Sequence, residues 1–205
     1  EFIPQGYTRN YTPDVLVDEM HIDDREPLQV MLWQPMVVNY NNEVYDECPL
    51  ENWWQLTEEE WEGKFAIFDP QELSQQISFF AALVAEPDIM ADAYESYYGE
   101  PLEVTEENAG YEFLVRWLDN QPLVLEHDVP VANAVGAAGQ TDPPMGMHTL
   151  TRHREIETEG LNLAVCEGLE PFEGYGLPSY GLLVEDAPHP NAARLFLHYV
   201  LTEEG

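Results

Sequence analysis

Three observations predict an α/β fold with a mixed, mostly parallel sheet flanked by helices. Short apolar runs of strand length (Phe65 to Phe68, Pro122 to Leu125, Met145 to Thr149) alternate with longer segments of helical periodicity. Capping and turn residues stand where one periodicity gives way to the other. A 44% hydrophobic and 12% aromatic content over 205 residues is enough to bury a sizeable core and excludes a disordered acidic tail.

Residues 1–28 are polar and turn-rich, with Pro4, Gly6, Pro13 and Pro27, and read as an irregular lead-in. Val30 to Tyr40 is the first strongly apolar run; Pro35 makes it two short strands or one bulged strand. The stretch PLENWWQLTEEEWEGKFAIFDP, Pro49 to Pro70, reads as a tryptophan-rich helical segment, a turn at Gly63 and the strand Phe65 to Phe68. Trp53, Trp54 and Trp61 are too large to leave in water and are expected against that strand's sheet. Asp69 and Pro70 have the chemistry of an N-cap and first helical residue, predicting a helix that turns Leu73, Ile77, Phe80 and Leu83 inward.

A second helix is expected from Ile89 to Tyr98, closed by Gly99. A third is expected from Thr105 as N-cap to about Asn120, with Tyr111, Leu114, Trp117 and Leu118 inward. After the strand Pro122 to Leu125, Asp128 is expected to cap a small-residue helix, Val131 to Ala138, ending at Gly139. The strand Met145 to Thr149 follows, then another from Leu161 to Cys166 and a Gly/Pro-rich passage from Gly168 to Tyr180. Gly181 to Val184 is the last strand, and Ala193, Phe196, Leu197 and Val200 line the inner face of the last helix.

Charge narrows the partners. Forty acidic residues face seven basic ones, a formal net charge of -33, so nucleic acid and anionic membrane surfaces are poor partners. The carboxylates are spread along the chain as a solvated surface suited to high salt or an alkaline exterior, and no EF-hand spacing marks a calcium store. No membrane-spanning run and no signal peptide are visible. Cys48 and Cys166 would pair in an exported protein and stay reduced in a cytosolic one. The chain carries no G-x-S-x-G, H-E-x-x-H, Walker A or Rossmann glycine signature, so no enzyme class is indicated and no cofactor or metal is expected.

The Trp-rich stretch resembles the segment that opens the second lobe in the iron(III)-type class of ABC-transporter extracellular solute-binding proteins. The tail LLVEDAPHPNAARLFLHYVLTEEG is similar to that class's C-terminal segment, residue for residue from Ala187 to Ala193; Trp117, Asn120 and Pro122 fit its middle. The resemblance covers most of residues 29–205. It implies a periplasmic-binding-protein-like lobe plus a partial second lobe, divided as 1–42 (partial lobe one and hinge crossover), 43–162 (lobe two) and 163–205 (return hinge and C-terminal segment of lobe one). Most of lobe one would lie before the first residue; a second chain supplies it, the chain was trimmed, or the flanking segments pack differently. Cys48 and Cys166 would both lie near the hinge crossovers, where a disulfide is in keeping.

The function implied is binding of a small, anionic or organic ligand in an interlobe cleft, outside the cytoplasm, and its delivery to an ABC permease. Ligand contacts would come from Ser74 and Gln75 at a helix start, where backbone N–H groups are free, and from His148, Thr149 and Arg152 at the end of a strand. Ferric-binding members of the class carry an adjacent tyrosine pair there; this chain has HTLTRHR from His148 to Arg154. Arg152 and Arg154 are two of only six arginines, and a guanidinium fork matches carboxylate or phosphate; pairing with Glu155, Glu157 and Glu159 is the plainer role. The alternative function is an acidic extracellular scaffold that reuses the lobe and self-assembles.

Overall fold

The computed structural model describes residues 4–202, which divide into two compact units: residues 4–34 with 176–202, and residues 35–175. In chain order the elements are β1 (Thr8–Asn10), α1 (Ile22–Arg25), β2 (Gln29–Tyr40), β3 (Phe65–Phe68), α2 (Ser74–Ala85), α3 (Pro87–Tyr98) and α4 (Ala109–Asp119). They continue with β4 (Leu123–Leu125), α5 (Asp128–Gly136), β5 (Met145–Thr149), α6 (Ile156–Glu159), β6 (Ala164–Val165), β7 (Gly174–Val184) and α7 (Pro190–Val200). The α/β class expected from the sequence holds.

The larger unit is built on a mixed sheet in the order β2-β5-β3-β4, with β6 paired to β2. Its centre is parallel: β3 pairs with β5 (Phe65 opposite Met145) and with β4 (Ala66 opposite Leu123). β2 joins antiparallel to β5, with Val38 opposite Met147, and to β6. All four residues of β3 and all five of β5 are buried, as expected of strands covered on both faces.

One face carries an aromatic core. Trp53 and Trp54 lie in a 3₁₀ turn, Trp53–Thr57, whose N-cap Asn52 forms a reciprocal capping box with Gln55. Trp53 sits 5.7 Å from Phe65, 5.3 Å from Phe79 and 6.0 Å from Trp117, ring centre to ring centre. Burial leaves each indole N–H in need of an acceptor: Trp53 Nε1 donates to the Phe172 carbonyl and Trp54 Nε1 to that of Met90, both at 2.8 Å. Trp61, expected in the same cluster, is only half-buried, on the next 3₁₀ turn. Gly110 lets α4 lie directly on α2, since a Cβ there would collide with the backbone of Leu83 and Val84.

Several expected boundaries move. α2 begins at Ser74 because Asp69 holds a turn of its own, accepting from Gln71 N at 2.8 Å and, through its carbonyl, from Leu73 N at 3.0 Å. Its buried face is Gln76, Phe79 and Leu83, and Ile77 is exposed. α4 begins at Ala109 with Asn108 as N-cap; Thr105 lies in the preceding loop. The loop amides of Thr105 and Glu106 donate to the buried Glu112 carboxylate at 2.7 and 2.9 Å, and Arg116 Nε donates to it at 2.8 Å. Phe113, Leu114 and Trp117 face inward, whereas Tyr111 and Leu118 are exposed. α5 starts at Asp128 behind His127 as N-cap and stops at Gly136. The strand expected over Leu161 to Cys166 contracts to β6. Cys48 and Cys166, both in this unit, are disulfide-bonded.

In the smaller unit, β1 pairs antiparallel with β7, Thr8 opposite Val184. The Gly/Pro-rich passage is therefore largely strand; Gly181 gives Met31 and Leu197 room that a Cβ would take. The lead-in is more ordered than its composition implies. Asn10 Oδ1 accepts from Gln29 N at 2.6 Å and its amide donates to the Arg25 carbonyl at 2.7 Å, while Thr12 donates to the buried Gln29 side chain. On α7 only Leu197 is buried; Phe196, expected inward, is 59% exposed beside Leu195 at 69%.

Candidate functional site

The candidate residues fall into two groups within the larger unit. Ser74 and Gln75 form the first turn of α2, directly after the Asp69 turn. Ser74 is exposed and Gln75 half-buried; the Gln75 carbonyl accepts the Tyr175 hydroxyl at 2.9 Å. Gln76, not singled out from the sequence, is 1% exposed, and its side-chain Nε2 has no partner. A buried amide in the first turn of a helix is costly unless something accepts its N–H.

The second group forms where β5 runs into a 3₁₀ turn, Leu150–Glu155. His148 is wholly buried, so it offers no atom to a ligand at the surface. Its Nδ1 lies 3.1 Å from the Thr149 carbonyl, which can only accept, so Nδ1 carries the proton and the unpartnered Nε2 the lone pair. Burial, chiefly, pushes its pKa down to about 4, and the nearby His153 and Arg152 add to this; the ring is neutral at pH 7. His153, also lowered by burial, lies 2.6 Å from Asn39 Oδ1 through Nε2. Because the Asn39 amide donates to Val37, its oxygen is the acceptor and His153 Nε2 the donor.

Thr149 Oγ1 donates to Asp128 Oδ2 at 2.8 Å, so the start of α5 and the end of β5 are tied together. Arg152 meets the same oxygen at 3.2 Å through Nε and Glu155 Oε1 at 2.5 Å through Nη1. The guanidinium expected to clamp an anion is therefore already paired with two of the chain's own carboxylates, by a hydrogen bond to Glu155 and by charge alone to Asp128, and only Glu155 is among those expected to pair with it. Asp128, assigned from the sequence only as a cap, is the organising residue here. It stands 21 residues before Thr149, and no local spacing signals it. The Tyr97-Tyr98 pair is structural: the rings contact at 4.8 Å and the Tyr98 hydroxyl donates to Glu58.

This sheet order, with helices on its faces and a candidate site at strand and helix ends, has close counterparts among solved structures. The apo ferric ion-binding protein A of Pasteurella haemolytica matches 99% of this chain at a TM-score of 0.67 and 13% identity. The iron-bound HitA of Pseudomonas aeruginosa matches all of it at 0.60 and 18% identity. An ABC-transporter substrate-binding protein of Agrobacterium tumefaciens does so at 0.61 and 12%.

The fold is that of the periplasmic binding proteins.

The sequence resemblance holds at the level of that fold. The chain spans 61%, 61% and 56% of the three periplasmic-binding-type structures, respectively. No protein-family model and no curated protein matches the sequence. Among the described residues, no helix is long and apolar enough to cross a membrane.

Proposed function

We propose that this chain is part of an extracellular or periplasmic solute-binding component of an ABC importer, which holds a small anionic or organic ligand and hands it to a permease. The observation that carries the reading is the fold, shared along nearly the whole chain with binding proteins. On this reading residues 43–162 are lobe two, with 1–42 and 163–205 contributing to lobe one. Ser74, Gln75 and Arg152 face the ligand, and the buried Thr149 and His148 support them from beneath. A ligand carboxylate would take the place of Glu155 on Arg152, keeping the guanidinium neutralised while Asp128 holds its other edge. The chain acts by binding and not by turnover, and any further part of lobe one comes from additional polypeptide.

The test is thermal unfolding against a panel of small carboxylates, phosphate, amino acids and ferric citrate. One compound should raise Tm in a concentration-dependent way, and Arg152→Ala should weaken its binding by at least tenfold. A panel with no effect, together with turnover of an ester or phosphate substrate, would overturn the reading.

The scaffold reading has one observation in its favour, the exposed Leu195 and Phe196 on α7. Sedimentation at increasing concentration decides between them, since reversible self-assembly without any ligand response belongs to the scaffold alone.

A further inference from the structure

The larger unit also holds an apolar pocket beside the aromatic core. It is a pocket of about 170 Å³, open to solvent on one side, between the end of α2 (Phe79, Ala82, Leu83), the start of α3 (Ile89, Met90) and the segment carrying Phe172 and Tyr175. Its wall is almost wholly apolar. The hydroxyl of Tyr175, the one polar group on its aromatic side, is already committed to the Gln75 carbonyl at 2.9 Å. Glu86 borders the cavity but is exposed to solvent. A polar guest would therefore lose its hydration without gaining a partner, and a carboxylate at the border disfavours an anion.

Size and shape narrow the guest further. The pocket's volume is close to that of the apolar cavities, about 150 Å³, that take up a benzene-sized molecule. The Phe79 and Tyr175 rings stack at 5.1 Å with 19° between their planes, and Phe172 meets Phe79 edge-on at 6.1 Å. These rings offer faces and edges to a third aromatic ring.

We propose that this cavity is a binding site for one neutral, apolar molecule of single-ring size, and that its occupancy reaches the first turn of α2 through Tyr175. The same tyrosine lines the cavity and holds the Gln75 carbonyl, so a guest that shifts its ring shifts an anchor of Ser74 and Gln75. The site is separate from the ligand-binding reading above and stands whether or not the chain serves an importer.

Benzene titrated into the isotopically labelled protein tests both parts by NMR. Saturable one-to-one shifts are expected at the methyl groups of Met90, Leu83 and Ile89, with a coupled shift of the Gln75 amide. Benzoate should leave these signals unmoved. Ala82→Phe, at an exposed helical position on the rim, should weaken benzene binding at least tenfold while leaving Tm within a few degrees. Tyr175→Phe should still bind benzene but lose the Gln75 shift. Absence of saturation up to the solubility limit of benzene, or shifts at other methyls in the wild-type protein, would overturn the site. Equal binding of benzoate would overturn the ligand class, and an unchanged Gln75 shift in Tyr175→Phe would overturn the coupling.

Discussion

Two buried titratable side chains give this molecule separate sensitivities to acid. His148 is depressed to about 4 by burial, from an ordinary 6.5. Its contribution to stability is complete above pH 6.5 and is lost as pH falls through 4, because the unfolded chain binds the proton first. Chemical denaturation midpoints should therefore fall across that interval, and His148→Leu should flatten the fall. Glu112 behaves differently. Burial alone would raise its pKa, but the amides of Thr105 and Glu106, Arg116 and the Thr105 hydroxyl outweigh it and hold the group at about 2. Its contribution is complete above pH 4.5 and lost as pH falls through 2. Glu112→Gln should cost about 2 kcal/mol at pH 7, the order of a charge-assisted hydrogen bond lost from a buried site. An unchanged urea midpoint would refute the role assigned to this carboxylate.

At the scale of elements, legibility followed the range of the forces involved. The strands Phe65–Phe68 and Met145–Thr149 were readable because a doubly covered strand is a short apolar run bounded by turns. The start of α4 was not. A chain reader sees Thr105 followed by two glutamates and infers a cap, whereas the Thr105 and Glu106 amides are taken by Glu112 from inside the helix. The first part of β7 was hidden in the same way, since Gly174 reads as a loop residue but serves a close approach to the Met36 backbone; only the stretch from Gly181 to Val184 was read as strand. Within the candidate site, Asp128, the partner that Thr149 and Arg152 share, was not legible, because a contact closed by the fold leaves no spacing rule. The packing of α4 on α2 makes a sharp prediction. Gly110→Ala should destabilise the protein by about 1–3 kcal/mol, the usual cost of overpacking, even though alanine favours helix; a calorimetric Tm equal to wild type would refute it.

For the whole molecule the dominant fact is the charge of -33. Self-repulsion on that scale opposes compaction, and salt relieves it, the screening length shrinking from about 10 Å at 0.1 M to about 3 Å at 1 M. Thermal melts should therefore shift upward by several degrees between those concentrations. A melting temperature independent of salt would mean that the carboxylates lie too far apart to repel.

The bond between Cys48 and Cys166 joins residues 118 apart, so it makes a closed loop of most of the larger unit. By chain entropy such a closure is worth about 4–5 kcal/mol. It also gives the protein tolerance to damage. An endopeptidase that cuts once in the surface loop between α3 and α4, near Val104, leaves both pieces covalently held and the sheet strands in place. Such a nicked molecule should run as one species on a non-reducing gel and as two after reduction. One cut would then be an injury and not a loss.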